Sequence, residues 1–383
     1  MKPAIRGRPD FLLFFITIVL VCFGLVMIFS ASSPQAVLKH GNASYYLFKQ
    51  GMFALVGGFF LLLFMRLPIQ LWKRAAPFLL LTTLLLLILV LICGTNINGA
   101  KRWFAVGGLN FQPAEYAKLA IIVYLAALIS RKGEAVRVFK TGLLPLVIAV
   151  GIVLLLVLLQ PDFGTVIILG FIAGAVIVTG GVDLRHLLVL ALGLLPVLVL
   201  LVVGKSYRLE RLVSFVAPFD HRTDSGYQLV QSLYALGHGG VTGSGLGQSV
   251  QKLFYLPEAH TDFIAAVIGE ELGFIGTLLL FAMFFVFILQ GFMAAFKSED
   301  PFAFLLGMGI VTMIGIQFVL NIGAVTGSLP ITGVPLPFIS YGGSSLVSCM
   351  ACTGILLSIS RDNNRRRQER LRQSQESKIE VPV

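Results

Sequence analysis

The chain has 383 residues, of which 57% are hydrophobic and only 12% are charged, and its mean hydropathy is +0.92. Runs such as FLLFFITIVLVCFGLVMIFSA are long enough to cross a bilayer core as helices, which excludes an ordinary soluble domain. The 29 basic and 18 acidic residues give a net charge of +11. Because the basic residues stand in short clusters between apolar runs, lipid headgroups and topology explain them, and no nucleic-acid partner is expected.

Ten apolar runs predict an all-α, polytopic membrane protein with about ten transmembrane helices. The first run is longer than the apolar core of a signal peptide, so we interpret it as an uncleaved first span. Lys and Arg cluster in both tails and in alternate connections, which places both termini in the cytoplasm. The predicted spans are 11–31, 47–64, 75–93, 114–129, 142–159, 165–180, 186–204, 262–292, 302–325 and 344–359.

Residues 1–360 are predicted to form one transmembrane domain, with a large extracytoplasmic loop at 205–260 between helices 7 and 8. The glycine-rich part of that loop, GHGGVTGSGLGQSVQK, predicts a flexible, close-packing surface rather than a second domain. Residues 361–383 form a basic cytoplasmic tail, low in apolar residues, which suits a segment that follows the membrane surface or is disordered. Three prolines in GSLPITGVPLPFISYGGSS prevent a regular helix there, and such backbone is tolerated where it lines a cavity.

Three acidic residues, Glu115, Asp162 and Asp262, stand where predicted spans meet the outer face. Acids in hydrocarbon cost free energy, about 2.5–3.5 kcal/mol at a helix centre, so they are usually paired or functional. Asp162 equally well caps the sixth helix, and Glu115 equally well forms a structural ion pair with Lys118. Asp262 could also cap the eighth span, with Thr261 as the better cap, but its edge position, its neighbour His260 and the preceding loop favour a functional role.

Two further acids follow in the same run. Glu270 and Glu271 lie about 12–13 Å beyond Asp262 along a straight helix, too far to share its chemistry. We therefore expect interhelix hydrogen bonds to satisfy these two carboxyl groups.

Basic side chains accompany the acids on the predicted outer side. Guanidinium and ammonium groups match phosphate oxygens, so this set suits a phosphate-bearing ligand, with anchoring to lipid headgroups as the alternative. His260 is interpreted as a hydrogen-bonding support rather than a metal ligand, because no partner His or Cys stands nearby. The cations are Lys101, Arg102, Arg208, Arg211 and Lys252.

Four stretches in this order and spacing resemble the SEDS family (shape, elongation, division and sporulation) over nearly the whole chain. They are NGAKRWFAVGGLNFQPAEYAK, QPDFGT, YQLVQSLYALGHGGVTGSGLGQSVQKLFYLPEAHTDFIAAVIGEELGFIG and LPITGVPLPFISYGGSS. The sequence is more similar to the division branch and its sporulation relatives than to the elongation branch. It has PAE where many relatives have PSE, and Ala265 where Phe is frequent, and neither change touches an acid or a cation.

This resemblance implies a peptidoglycan glycosyltransferase of the bacterial plasma membrane, acting at the division septum with other division proteins. It implies that Asp262 of HTDF is the catalytic residue and that lipid II, a disaccharide-pentapeptide on undecaprenyl pyrophosphate, is the substrate. Glu115 and Lys118 would then organise the cavity, and Lys101, Arg102 and Arg208 would lie where pyrophosphate is held. A class B penicillin-binding transpeptidase is the expected partner.

A carboxylate such as Asp262 can act as the base that deprotonates the 4-hydroxyl of GlcNAc as it attacks C1 of the donor, with inversion from α to β. The pyrophosphate leaving group needs cations or a divalent metal such as Mg²⁺ or Mn²⁺, for which the sequence assigns no ligands. A lipid II flippase is the alternative. It would use Glu270, Glu271 and the Glu115–Lys118 pair as a translocation path.

Overall fold

The computed structural model describes residues 7–97, 99–107, 109–204 and 206–379. Within those residues the chain forms a bundle of α-helices with a small antiparallel sheet between the third and fourth helices. The strands are β1 (Thr95–Ile97), β2 (Ala100–Val106) and β3 (Leu109–Phe111). The helices are α1 (Phe11–His40), α2 (Tyr45–Arg66), α3 (Ile69–Cys93), α4 (Pro113–Lys132), α5 (Leu144–Leu158), α6 (Phe163–Thr179), α7 (Leu184–Val203), α8 (Ser206–Val216), α9 (Tyr227–Gly239), α10 (Ile264–Phe296), α11 (Pro301–Val325) and α12 (Gly343–Ile379).

A helix occupies each of the ten predicted spans, namely α1–α7 and α10–α12. In the described part of the chain, seven helical segments are long and apolar enough to cross a membrane, while α6 and the first half of α7 are apolar but shorter. The all-α class is confirmed, and the count of ten spans stays a prediction. The sheet adds a short hairpin structure that the hydropathy pattern did not predict.

The start of the described chain contacts α12 near Asn364 at one end of the bundle. The Asn364 Nδ2 donates a hydrogen bond to the Arg8 carbonyl oxygen (2.7 Å). At the other end the start of α2 meets the turn before α10, where the Tyr46 and His260 rings lie 4.8 Å apart. This arrangement agrees with termini on one membrane face and Asp262 on the opposite face.

The long connection between α7 and α10 folds back onto the bundle. It forms α8 and α9, and its glycine-rich stretch then exchanges backbone hydrogen bonds with α10. The Ser244 N–H donates to the Glu270 carbonyl (2.9 Å), and the Phe274 N–H donates to the Gly240 carbonyl (2.9 Å). Between these bonds α10 kinks at Gly273, whose φ of 66° favours glycine. The predicted close packing is confirmed, and the connection contains two helices that the sequence analysis treated as loop.

The basic tail does not begin at a structural boundary. α12 runs without a break to Ile379, so residues 361–379 are helical rather than disordered, and the alternative of a segment that follows the membrane surface stays a prediction. Asp362 pairs with Arg365 and Arg366, three and four residues further along the helix, and these pairs stabilise the extension. Arg361 also donates to the Arg66 carbonyl (3.1 Å) at the end of α2, which ties the helix to the bundle.

Candidate functional site

A tight turn presents Asp262 just before α10 begins. The Glu258 carbonyl accepts hydrogen bonds from the N–H groups of Thr261 (3.1 Å) and Phe263 (3.2 Å), and Glu258 itself adopts a φ of 54°. The residue that caps α10 is Phe263, and no side-chain hydrogen bond caps this helix among the described residues. The capping alternative for Asp262 is therefore not what the structure shows, and its carboxyl group remains available for other chemistry.

The Asp262 carboxyl group is half-buried against the backbone of Gly333, where an added Cβ would lie 3.5 Å from Oδ2. The pKa of Asp262 is raised to about 7, mainly by burial and also by the nearby charges of Glu258 and Asp162, against the opposing effect of Arg211. A carboxyl group with a pKa near neutrality is partly ionised at physiological pH. It can therefore accept a proton from a reacting group and release it again.

Arg211 of α8 is the described cation whose charge acts on Asp262. Its guanidinium is exposed, and Nη1 donates to the Ile331 carbonyl (3.3 Å), which places it beside the segment that carries Gly333. The side chain of Arg208, one turn earlier on the same helix, lies outside the described residues. α8 therefore brings at least one positive charge from the predicted extracytoplasmic loop to the acidic turn.

Asp162 caps α6, as its alternative interpretation predicted. Its Oδ1 accepts from the Thr165 N–H (3.1 Å) and its Oδ2 from the Gln112 Nε2 (3.0 Å). Arg102 braces the same turn, because Nε donates to the Gln160 carbonyl (2.8 Å) and Nη2 donates to the Pro161 carbonyl. Asp162 thus combines a structural cap with a charge that acts on Asp262, and Arg102 keeps a partly exposed guanidinium next to it.

The remaining candidates on the α3–α4 side separate into one exposed and one buried group. Lys101 is exposed, and its Nζ donates to the Ile92 carbonyl (3.2 Å) near the end of α3. Glu115 and Lys118 form the predicted ion pair (2.7 Å), with both side chains buried. Glu115 Oε2 is buried without a partner among the described residues. The pair is a structural feature of the first turn of α4, and its part in organising the cavity stays a prediction.

Lys252 lies in a buried ion pair rather than in an open basic surface. Its Nζ is 2.7 Å from Glu271 Oε1 and 3.1 Å from Ser30 Oγ, and the Ser30 hydroxyl also donates to Glu271. The ammonium is therefore neutralised inside the protein, so the assignment of Lys252 to a phosphate-binding set is not supported by its contacts. The hydrogen bond from Ser30 of α1 is the interhelix bond expected for Glu271.

Glu270 is satisfied differently from the expected interhelix pairing. Its carboxylate accepts from the backbone N–H groups of Val250 (3.0 Å) and Gln251 (3.3 Å) and from the Ser249 hydroxyl. Both glutamates precede the kink at Gly273, so the kink does not change their separation from Asp262, and the expected depth stays a prediction. The two acids instead hold the glycine-rich stretch against α10.

His260 packs in an aromatic cluster at the outer end of the bundle. Its ring lies 4.8 Å from the Tyr46 ring and 5.6 Å from the Tyr341 ring, and its carbonyl accepts from the Tyr341 N–H (2.9 Å). Burial lowers the pKa of His260 to about 4, so the imidazole is neutral at physiological pH. The described contacts of the ring are aromatic, and the hydrogen bond that supports the acidic turn comes from the backbone.

No group of three or more His, Cys, Asp or Glu side chains in the described part of the chain is arranged to hold a metal ion. The described side chains therefore do not form a protein metal site, and we derive no chemical step through one. Sequence reasoning missed Asn321, whose side chain contacts the Asp262 carbonyl, and the close approach of Gly333. A single amide near the end of the apolar run 302–325 was the available signal.

Comparisons with known proteins agree over nearly the whole chain. The family model FtsW/RodA/SpoVE, described as "Cell cycle protein", matches residues 10–365. The chain is 43% identical to the probable peptidoglycan glycosyltransferase FtsW of Geobacter sulfurreducens over 355 residues, covering 92% of this chain and 95% of that protein. It is 40% identical to stage V sporulation protein E of Bacillus subtilis over 361 residues, covering 93% and 98% of the two chains.

Two solved structures share the fold. A chain from "Structural coordination of polymerization and crosslinking by a peptidoglycan synthase complex" superposes with a TM-score of 0.77 at 31% identity, covering 93% of this chain and 98% of that one. The rod shape determining protein RodA of Thermus thermophilus superposes with a TM-score of 0.69 at 30% identity, covering 93% and 97%. The helical arrangement described above is therefore one that experimentally determined structures also contain.

Proposed function

Because the chain belongs to the FtsW/RodA/SpoVE family of cell cycle proteins, we propose that it is a peptidoglycan glycosyltransferase that polymerises lipid II at the outer membrane face. One observation carries the proposal. The Asp262 carboxyl group is free of a capping role, half-buried, and has its pKa raised to about 7 at the end of the bundle opposite the termini. This is the ionisation behaviour that a general base needs near neutral pH.

The reaction follows from that carboxylate. Asp262 accepts the proton of the acceptor GlcNAc 4-hydroxyl as its oxygen attacks C1 of the donor sugar. The new C1–O bond forms while the bond from C1 to the pyrophosphate oxygen breaks, and that oxygen leaves with the bonding electron pair. Attack from the face opposite the leaving group inverts C1 from α to β. The proton then passes from Asp262 to solvent or to the departing pyrophosphate.

Positive charge near the turn favours the leaving group. Arg211 is exposed and acts on Asp262, and Arg102 holds a partly exposed guanidinium beside Asp162. Guanidinium groups pair with phosphate oxygens through several donors, so these two are the described side chains best suited to meet the pyrophosphate. Lys101 is a third exposed cation in the same hairpin region. A divalent cation bound with the substrate would add charge of the same sign.

The flippase alternative receives less support from the contacts. The ionisable groups that would form its path are engaged internally. Lys118 pairs with Glu115, Lys252 pairs with Glu271, and backbone N–H groups satisfy Glu270. A translocation path needs polar groups that can meet a passing headgroup, whereas these groups already neutralise one another.

The partner and the cellular role are part of the same proposal. The solved complex that shares this fold is reported to couple polymerisation and crosslinking. We therefore expect a class B penicillin-binding transpeptidase to bind this chain in the plasma membrane. The FtsW relatives support a role in septal wall synthesis during division, together with other division proteins. Depletion in the source bacterium tests this role, since filamentous cells would support division and a sporulation defect alone would contradict it.

The direct test of activity is polymerisation of purified lipid II by the purified chain. We expect glycan polymer from the native protein and none from Asp262→Asn or Asp262→Ala at equal folded concentration. Full activity in both variants would remove Asp262 from the mechanism. Movement of lipid II across proteoliposomes without polymer would favour the flippase.

A further inference from the structure

Two irregular segments meet around the Asp262 carboxyl group. One is the turn at 258–263, and the other is the chain between α11 and α12, which is irregular at 330–336 in the structure. A direct backbone bond joins them where the Tyr341 N–H donates to the His260 carbonyl (2.9 Å). Because neither segment is part of a helix or a sheet, their relative position depends on a few such bonds.

The Asn321 side chain supplies the second link. Its Nδ2 donates one hydrogen bond to the Asp262 carbonyl (2.8 Å) and another to the Val334 carbonyl (2.8 Å). Asn321 lies in the last turns of α11 and is only 1% exposed, so water does not compete freely for these donors. A single buried amide group thus joins a rigid helix to both irregular segments.

The geometry of this link determines where the carboxyl group lies. Val334 directly follows Gly333, where an added Cβ would lie 3.5 Å from Asp262 Oδ2, so this stretch of backbone lies beside the carboxylate. The Asn321 amide therefore bonds both the Asp262 backbone and the neighbouring backbone that lies beside the Asp262 carboxylate. If both hydrogen bonds were lost, the two segments would be free to separate, and the carboxylate would lose its fixed orientation.

We infer that Asn321 is a positioning residue for the Asp262 base, an inference that rests on the proposed polymerase function. Asn321 acts through the backbone and does not touch the reacting sugars. Its loss lowers turnover, because a shift of about 1 Å in a reacting group costs on the order of 100-fold in rate. Binding of lipid II changes little, because the cations that meet the pyrophosphate stand on other elements.

α11 offers a matched control one helical turn away. Gln317 is 0% exposed, and neither its Nε2 nor its Oε1 has a partner among the described residues. Replacing either amide residue by leucine removes a buried polar group from the same helix. The two variants differ in that Asn321→Leu breaks two hydrogen bonds to the acidic site, whereas Gln317→Leu breaks none of those described.

The kinetic test compares native protein, N321L, Q317L and D262N with purified lipid II at equal folded concentration. We expect N321L to lower kcat by about 100-fold with less than a threefold change in KM, and Q317L to stay within about threefold of native. Asn321→Ser, which keeps one short donor and is easier to accommodate, should fall between them. Equal turnover of N321L, N321S and native protein would overturn the inference. So would a raised KM with unchanged kcat, or a loss of folded protein with unchanged specific activity.

A second measurement does not depend on activity. Hydrogen–deuterium exchange should be faster in peptides covering 258–263 and 330–341 of N321L than in the same peptides of Q317L. Equal exchange in the two variants would overturn the inference even if N321L were less active. If native protein made no polymer, the proposed function would be wrong. If native protein and N321L were equally active, only the role assigned to Asn321 would be wrong.

Discussion

Lys252 Nζ lies 2.7 Å from Glu271 Oε1, and both side chains are buried, so the glycine-rich stretch is joined to α10 by an ion pair removed from solvent. Removing one partner of a buried pair leaves an uncompensated charge, which typically costs about 3–5 kcal/mol. We therefore expect Lys252→Met to lower the free energy of unfolding by about this amount, measured by thermal or denaturant unfolding in detergent.

A suitable comparison for that variant is Lys101→Met, since Lys101 is exposed and pairs with no acid among the described contacts. It should change stability by less than about 0.5 kcal/mol. The double variant Lys252→Met with Glu271→Leu should lose less than the sum of the single losses, because it leaves no lone charge. Strictly additive losses would show that the pair does not stabilise the fold.

The pKa of Asp262, raised to about 7, predicts a pH-dependent rate. Only the ionised carboxylate can accept a proton, so kcat should fall about tenfold for each pH unit below 7 and level off above it. Initial polymerisation rates between pH 5.5 and 8.5 measure this dependence. A rate that is flat down to pH 5 would contradict a base with a raised pKa.

The same raised pKa predicts that Asp262 destabilises the folded state above its ordinary range. In the unfolded chain Asp262 ionises near pH 3.8, and in the folded chain it ionises near pH 7, so its cost grows as pH rises between these values and is constant above them. Asp262→Asn should therefore have a higher free energy of unfolding than native protein at pH 8, by on the order of 1 kcal/mol or more. The difference should vanish below about pH 4, and a difference independent of pH would contradict the assignment.

Arg211 lowers the pKa of Asp262 through its positive charge. Arg211→Gln removes that charge, so the pKa should rise and the midpoint of the rate profile should move to higher pH. Arg222→Gln, which removes an exposed charge from the same connection, should leave the midpoint in place. An unshifted midpoint in Arg211→Gln would show that this cation does not influence the base.

Gly333 adopts a φ of 71°, a conformation that disfavours side chains. Gly333→Ala should lower stability by roughly 1–3 kcal/mol and reduce turnover, since the new methyl group lies beside Asp262. Gly151→Ala is the matched control, because Gly151 is helical and an added Cβ would meet nothing within 4 Å. The free energies of unfolding of the two variants are compared with that of native protein. Equal values for both variants would argue against strain at Gly333.

The sequence predicted the helices well because each depends on a local property, a long apolar run, that hydropathy records directly. It also predicted the Glu115–Lys118 pair, since residues three apart on a helix face each other. The helical extension of α12 was missed although the pairs between Asp362 and Arg365 or Arg366 were visible in the same spacing. The many basic residues of this segment favoured the prediction of a disordered or surface-following tail over a helix held by these pairs.

The parts that escaped prediction depend on distant contacts. Lys252 looked like a free cation because its partners, Glu271 at a separation of 19 residues and Ser30 on α1, come near it only in the folded chain. The kink at Gly273 accompanies backbone hydrogen bonds to the glycine-rich stretch. A glycine inside an apolar run does not by itself indicate that another segment will bond there. Asn321 was not predicted because it bonds two irregular segments. Hydrophobic periodicity does not indicate where such segments meet.

The most direct test of the central claim is the yield of glycan polymer from purified lipid II with native protein, Asp262→Asn and Asp183→Asn. Asp183 is an exposed helix cap, and asparagine serves equally well in that position. We predict polymer from the native and Asp183→Asn proteins and at least a thousandfold less from Asp262→Asn, on the order of what loss of a general base costs. Native yield from folded Asp262→Asn would contradict the account.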